Sequence, residues 1–310
     1  MRIRATVAAV TGALALSALV IPSAAQADDT HRSTVGDVAR AAQTTTAAGS
    51  GAKSGARSLA AESTPGQLDL TFSKFTVNGG KPIAVGTTAE KTVPTTFTVT
   101  HAADVNIFAS DFALDVSLYR GSFNDPTNEL YGDDAPTCKA VSSTVATCKG
   151  QIVISPQYDL IGNADATTWK AGGFAVDFNG QDMANPDVSK IDFALQEGLG
   201  TARVQRLSKL TVDAAPEPVK KGGTITVTGK LSRANFDDLK YHGYATQPVK
   251  LQFRKKTSST YTTIKTIKSS STGTLKTTVK ASVDGYWRYS FAGTSTTPAV
   301  SAAGDFVDVK

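Results

Sequence analysis

Residues 275–291, LKTTVKASVDGYWRYSF, decide the fold. Leu275, Thr277 and Val279 alternate with Lys276, Thr278 and Lys280. Trp287, Tyr289 and Phe291 then alternate with Tyr286, Arg288 and Ser290. A period of two puts one set of side chains on a core face and the other toward solvent, which is the signature of half-buried strands. The same pattern extends outward. Ile225, Val227 and Leu231 share a face, and Val249, Leu251 and Phe253 alternate with Lys250, Gln252 and Arg254. With residues 210–212 and 261–267 and the closing Val307 and Val309, this predicts seven strands in about 100 residues, an immunoglobulin-like count. Ile264 and Ile267 have opposite parity, so a bulge is expected between them. No cysteine pair joins these sheets, so Trp287, Tyr289 and Phe291 must carry the core.

Upstream, the same period runs through Leu68, Leu70 and Phe72, through Phe97 and Val99, and through Leu114, Val116 and Leu118. It continues at 152–154, 174–176 and 204–212. Turn residues punctuate it at Asn78-Gly79-Gly80, Gly121, Asn163 and Asn179-Gly180. No stretch sustains a 3.6-residue period. The expected fold is all-β: two tandem immunoglobulin-like antiparallel β-sandwiches, over residues 66–212 and 213–310. Charge supports the division. Residues 66–212 hold sixteen acids and eleven bases, a net of −5, and residues 213–310 hold seven acids and fifteen bases, a net of +8. The junction is placed near Asp213, with Pro216 and Pro218 forming a semi-rigid connection.

Both cysteines lie in CKAVSSTVATC, residues 138–148. Opposed residues of an antiparallel hairpin have numbers of constant sum. Cys138 and Cys148 sum to 286, as do Val141 and Val145, so a turn at Ser142-Ser143-Thr144 sets the thiols face to face. Such positions lie about 4.5 Å apart at Cα, within disulfide reach. Two ligands ten residues apart make a poor zinc site, and a structural disulfide is expected.

A disulfide needs an oxidising compartment, and residues 1–27 supply the route to one. Arg2 and Arg4 precede an apolar run that ends at Pro22 and the small-residue pattern Ala25-Gln26-Ala27. This reads as a secretory signal peptide cleaved after Ala27, too short to span a bilayer. Residues 28–65 are mostly Ala, Ser, Thr and Gly with no aromatic, and are expected to form a disordered leader. GSGAKS at Gly49 lacks the glycine before Lys53 that a phosphate loop needs.

Three stretches resemble a known group. GGTITVTGKLSRA (222–234), QPVKLQFRKKTSSTYTTIKTI (247–267) and SSSTGTLKTTVKASVDGYWRYSFAGTSTTPAVSAAGDFVDV (269–309) are similar to the C-terminal immunoglobulin-like domain of secreted actinomycete proteins. TCKAVSSTVATCKGQIVISPQYDL (137–160) and TWKAGGFAVDF (168–178) resemble their cysteine-bearing first domain. The resemblance implies two β-sandwiches behind a signal peptide. It carries over no catalytic or binding residue, although a calcium-binding role is attached to some of its members.

For chemistry, the sequence offers three candidate sites. Lys250, Arg254, Lys265, Lys268, Lys276, Lys280 and Arg288 stand on outward strand positions, and on one sheet they would form a basic panel for an anionic wall polymer. No stacking aromatics are seen to interleave with them, so nucleic acid is not an expected partner. Phe236, Tyr241 and Tyr244 lie in the long connection 233–247, where sandwich folds place recognition loops. They serve either another extracellular protein or the end of the core. Asp177, Asn179 and Asp182 echo a calcium loop, but Val188 stands where an EF-hand needs Glu. The plainer reading is a hydrophilic turn, and no cofactor is expected. His31, His101 and His242 are scattered, with no nucleophile elbow and no HExxH motif. The sequence thus predicts an exported, non-enzymatic binding or structural protein without a membrane span. A glycan hydrolase using paired carboxylates of the first domain is the alternative.

Overall fold

The computed structural model describes residues 29–49, 66–158 and 160–310; the signal-peptide expectation and residues 50–65 of the leader lie outside the described residues. Among the described residues one α-helix, α1 (Asp29–Gly49), precedes nineteen strands: β1 (Leu70–Val77), β2 (Ile83–Val85), β3 (Lys91–His101), β4 (Phe112–Gly121), β5 (Pro126–Leu130), β6 (Thr137–Ala140), β7 (Val145–Ile154), β8 (Thr168–Asp177), β9 (Asp192–Arg206), β10 (Ser208–Leu210), β11 (Asp213–Ala215), β12 (Thr224–Asn235), β13 (Lys240–Gly243), β14 (Pro248–Lys255), β15 (Thr262–Lys268), β16 (Thr274–Lys280), β17 (Gly285–Phe291), β18 (Val300–Ser301) and β19 (Asp305–Val307).

In the first sandwich, a sheet of order β1-β3-β7-β6 faces one of order β2-β9-β8-β4-β5. Their inner faces interdigitate as two adjoining clusters. Phe72, Phe97, Val99, Leu114, Val116 and Cys148 form one; Ile83, Val93, Leu118, Ile152, Trp169 and Val204 form the other. The cysteine hairpin has the expected register. Thr137 faces Lys149, Cys138 faces Cys148 and Ala140 faces Ala146, and the disulfide closes across a Cα separation of 4.0 Å.

The second sandwich packs a sheet centred on β12, flanked by β10, β11, β13 and β16, against a sheet of order β15-β14-β17-β18 with β19 also on β17. Trp287, Tyr289 and Phe291 enter its core with Leu231, Val249, Leu251 and Leu275, as the alternation predicts. Burial raises the ionisation of the Tyr289 hydroxyl well above the usual phenol range, and the neutral group donates to Val227 O at 2.8 Å. The bulge falls at Ile264: Leu251 pairs with Lys265 while Gln252 pairs with Thr263, and Ile264 is left 47% exposed.

Three expectations are corrected. Residues 29–49 of the leader are helical. Val35, Ala39 and Ala42 are buried against Tyr119, Phe123, Phe174, Val176 and Phe193 on the outer face of the β9-β8-β4 sheet. The segment has little apolar surface of its own; the sheet supplies the rings. Next, Leu210 sits in the second core and β10 pairs with β12, in line with the strand count that includes residues 210–212, so the chain crosses between sandwiches a few residues ahead of Asp213. Pro216 and Pro218 lie between β11 and β12, two paired strands of the second sandwich, and are not the connection. Finally, residues 233–247 are no free loop. β12 and β13 form a hairpin whose tip reaches into the first sandwich, described next.

The joint between the sandwiches is dense. Phe236 is 2% exposed and belongs to the first-sandwich core with Trp169 and Ile154. Its amide donates to Asn163 Oδ1 at 3.0 Å, and the Asn163 amide donates to Asp237 Oδ1 at 2.8 Å. Leu207 N donates to Val85 O at 2.8 Å, Arg206 N to Thr296 O at 2.9 Å and Arg206 Nε to Ala234 O at 2.5 Å. Burial, with Arg233 nearby, depresses the proton affinity of Arg206.

Candidate functional site

The seven outward basic residues do not share one face. Lys250 and Arg254 project from β14 on the side away from the core, as Arg288 does from β17; the register sets Gln252 beside Arg288 and Arg254 beside Tyr286. Lys268 pairs with Pro248 on the same outer side. Lys276 and Lys280 project from β16, paired with β12 in the opposite sheet. Lys265 sits opposite the core residue Leu251, and its Nζ reaches across the sheet edge to Thr278 O at 2.7 Å. Alternation gives the side of a strand, but the sheet each strand joins splits this set.

What remains on the outer face of the β14–β17 sheet is more structured than a lysine panel. The Arg254 guanidinium lies 3.8 Å from the Tyr286 ring centre and 5.3 Å from that of Tyr261. The Arg288 guanidinium lies 3.8 Å from the Tyr261 ring centre. Tyr286 packs on Phe306 with ring centres 5.2 Å apart, and Lys256 stands 5.3 Å above Phe306. Gly304 permits the arrangement. A Cβ there would fall 2.1 Å from Tyr261 Oη and 3.1 Å from Tyr286 Cβ. The expectation that no aromatics interleave with the basic residues is therefore corrected. Tyr286 could have been found from its neighbour Arg288 in β17; Tyr261, in the loop before β15, and Phe306, in β19, could not.

The guanidiniums are fixed yet unsaturated. Arg254 Nη1 donates to Ser258 O at 2.9 Å and Arg288 Nε to Gln252 Oε1 at 2.9 Å. Each guanidinium has five donors, so most N–H groups of the pair are left for a ligand. Among the described residues neither forms an ion pair. Beyond Lys256 the surface continues into a shallow depression of about 430 Å³ lined by Lys221, Lys255, Lys256 and Lys310, with Asp284 as its acid. Fixed guanidinium planes beside half-buried rings suit oxyanions carried on a flat or cyclic backbone.

The other candidates resolve differently. Tyr241 packs against the first-sandwich core under Lys209, 3.7 Å from its ring centre; Tyr244 packs edge-on against Phe291 beneath Arg233. With Phe236 buried, these three aromatics hold the joint and the core and do not form a recognition loop. Asp177 Oδ1 accepts from Asn179 N at 3.0 Å and Asp182 Oδ1 from Ala184 N at 3.0 Å, so both acids close local turns. Asn179 Nδ2 donates to Lys190 O and Asp192 Oδ2. Among the described residues no three acidic, histidine or cysteine side chains gather as a metal would require. His101 is buried with Nδ1 beside Ala102 O, His242 pairs with Asp238 on the surface, and the His31 side chain lies outside the described residues.

Among the described residues, three cavities of the first sandwich are lined by at most one carboxylate each. One of about 300 Å³ is flanked by Lys81 and Arg203, one of about 340 Å³ holds Asp115, and one of about 320 Å³ holds Asp192. None presents the facing pair that glycoside hydrolysis uses.

No family model matches the chain, and no curated protein matches it. Among solved structures, it is similar to the adhesin InvE of Yersinia pseudotuberculosis, at 14% identity and a TM-score of 0.22, covering 78% of this chain and 58% of that one. The full ectodomain (Ig1–Ig3) of mouse nectin-like molecule 4 gives 13% identity and a TM-score of 0.23, over 78% and 65% of the two chains. The D00-D0 domain of intimin gives 12% identity and a TM-score of 0.25, over 75% and 98%. The chain thus spans less than two thirds of the first two structures it matches.

Proposed function

We propose that this protein is an exported, non-enzymatic binding protein that holds an anionic polymer of the cell wall or extracellular matrix. The ligand lies along the outer β14–β17 face of the second sandwich. The observation that carries the reading is the pair Arg254 and Arg288, stacked on Tyr261 and Tyr286 with free N–H groups and no opposing acid among the described residues. Arg254 and Arg288 grip carboxylate, sulfate or phosphate groups, Tyr286 and Phe306 support the backbone between them, and Lys250, Lys256 and the basic depression extend the track. The cysteine hairpin and the signal-like first 27 residues agree with an oxidising destination.

The test is retention of the full chain on immobilised anionic polysaccharide and on cell-wall preparations across a salt series. Wild type is expected to bind at low salt and elute with rising salt as counterions return. Arg254→Ala and Arg288→Ala should each weaken binding about five- to thirtyfold, the cost of about 1–2 kcal/mol for a charge-assisted contact. Lys276→Ala and Lys280→Ala, on the opposite face, should change it little. Equal loss from both faces, or no retention at any salt, would refute the assignment.

A further inference from the structure

The outer face of the β9-β8-β4 sheet is built to receive a helix. Its rings, Tyr119, Phe123 and Phe174, lie in a row, with Phe123 and Phe174 stacked at 5.2 Å and Tyr119 5.2 Å from Phe123. Gly172 makes room for Phe123: a Cβ there would fall 2.2 Å from that ring. At the edge of the row stands Glu129, its side chain 5% exposed, accepting from Ser117 Oγ at 2.6 Å and from Tyr131 Oη at 3.1 Å. Burial and the nearby Glu129 charge raise the Tyr131 phenol well above its usual range, so it stays a donor.

α1 fills this face with small residues and one cation. Val35, Ala39 and Ala42 lie on the rings, and Arg40 enters the acid. Its Nη2 donates to both Glu129 oxygens at 2.8 and 2.9 Å, its Nε donates to Phe123 O at 3.0 Å, and its guanidinium lies 4.8 Å from the Phe174 ring centre. The receptor is therefore a charged pocket set in an aromatic row, and the ligand is a helix carrying Arg40 among small residues. Residues 50–65 join α1 to the sheet, a length of chain that can span about 55 Å when extended.

We propose that α1 is exchangeable, and that the face it covers also takes the α1 of a second copy, linking neighbouring molecules. α1 shows directly that this sequence fits the face, and the contacts of a swapped pair are the same as those within one copy. The balance is set by concentration. A tether of this length holds its own helix at an effective concentration of about a millimolar, so exchange prevails only where copies are crowded beyond that. Crowding along a shared polymer would supply this, and in that respect alone the inference rests on the proposed function.

A fluorescent peptide of residues 29–49 tests the exchange without any polymer. The full chain carrying Arg40→Ala has a weakened helix of its own and an unanswered Glu129, and should bind the wild-type peptide at least tenfold more tightly than the wild-type chain does. The Arg40→Ala peptide should bind at least tenfold more weakly. Ala39→Asp serves as a second variant, because it evicts α1 without touching the sheet. Sedimentation of the wild-type chain at and above a millimolar should show dimer. If neither variant binds peptide while its thermal midpoint shows folded sandwiches, the face is not an exchange site. If peptide binds the variants but the wild-type chain stays monomeric above a millimolar, each copy's own α1 keeps the face and the second-copy assignment is overturned.

Discussion

Replacing Phe236 by alanine removes a side chain that belongs to one sandwich by sequence and to the other by packing. The ring is 2% exposed, within a cluster containing Trp169, Ile154 and Val204. A buried phenylalanine removes about 200 Å² of apolar surface from water. At about 25 cal/mol per Å² this is about 5 kcal/mol, and measured losses of about 3–5 kcal/mol for such truncations agree. The loss falls on the first core and on the coupling between the sandwiches, since the second core does not contain Phe236. The chain offers its own reporters: it has two tryptophans, Trp169 in the first core and Trp287 in the second. Urea unfolding followed by fluorescence, in Trp169→Phe and Trp287→Phe backgrounds, should give coincident midpoints with Phe236 present. With Phe236→Ala the first sandwich should unfold earlier, its stability lower by about 3–5 kcal/mol, and the two midpoints should separate. A loss below about 1 kcal/mol in both reporters would show that Phe236 does not fasten the joint.

Gly304→Ala should displace Tyr261 and lower polymer retention severalfold while leaving the thermal midpoint within a few degrees; unchanged retention would remove Tyr261 from the platform. Opening the disulfide by Cys138→Ser with Cys148→Ser should cost about 2–3 kcal/mol in urea, as expected for a loop of this size. Tyr131 and Tyr289 ionise at higher pH in the folded chain than in the unfolded one. Above about pH 10 the unfolded chain therefore loses these protons first, and stability present below that pH should fall as pH rises. Tyr289→Phe should flatten that fall, read from urea midpoints between pH 8 and pH 11, at a cost near neutral pH of about 1 kcal/mol for the lost bond to Val227. An unchanged slope would mean that Tyr289 does not contribute.

Local spacing in the chain was sufficient for whatever depends on neighbours along a strand. The alternation of Trp287, Tyr289 and Phe291 with Tyr286, Arg288 and Ser290 decides which side chains enter the core, because a strand has a period of two whatever sheet it joins. The constant sum of Cys138 and Cys148 decides their pairing, because a tight hairpin fixes its own register. The parity conflict of Ile264 and Ile267 decides that β15 carries a bulge. Tertiary structure alone decided what depends on partners far along the chain. It separated Arg254 and Arg288 from Lys276 and Lys280, since sheet membership is set by long-range pairing and not by period. It brought Tyr261, from the loop before β15, to those arginines and Phe306, from β19, against Tyr286. It sent Phe236 into the neighbouring sandwich, and it made a docked helix of an Ala- and Thr-rich segment. The apolar surface that orders α1 belongs to Phe123 and Phe174, Phe123 lying 83 residues beyond Arg40, and no reading of residues 29–49 contains it.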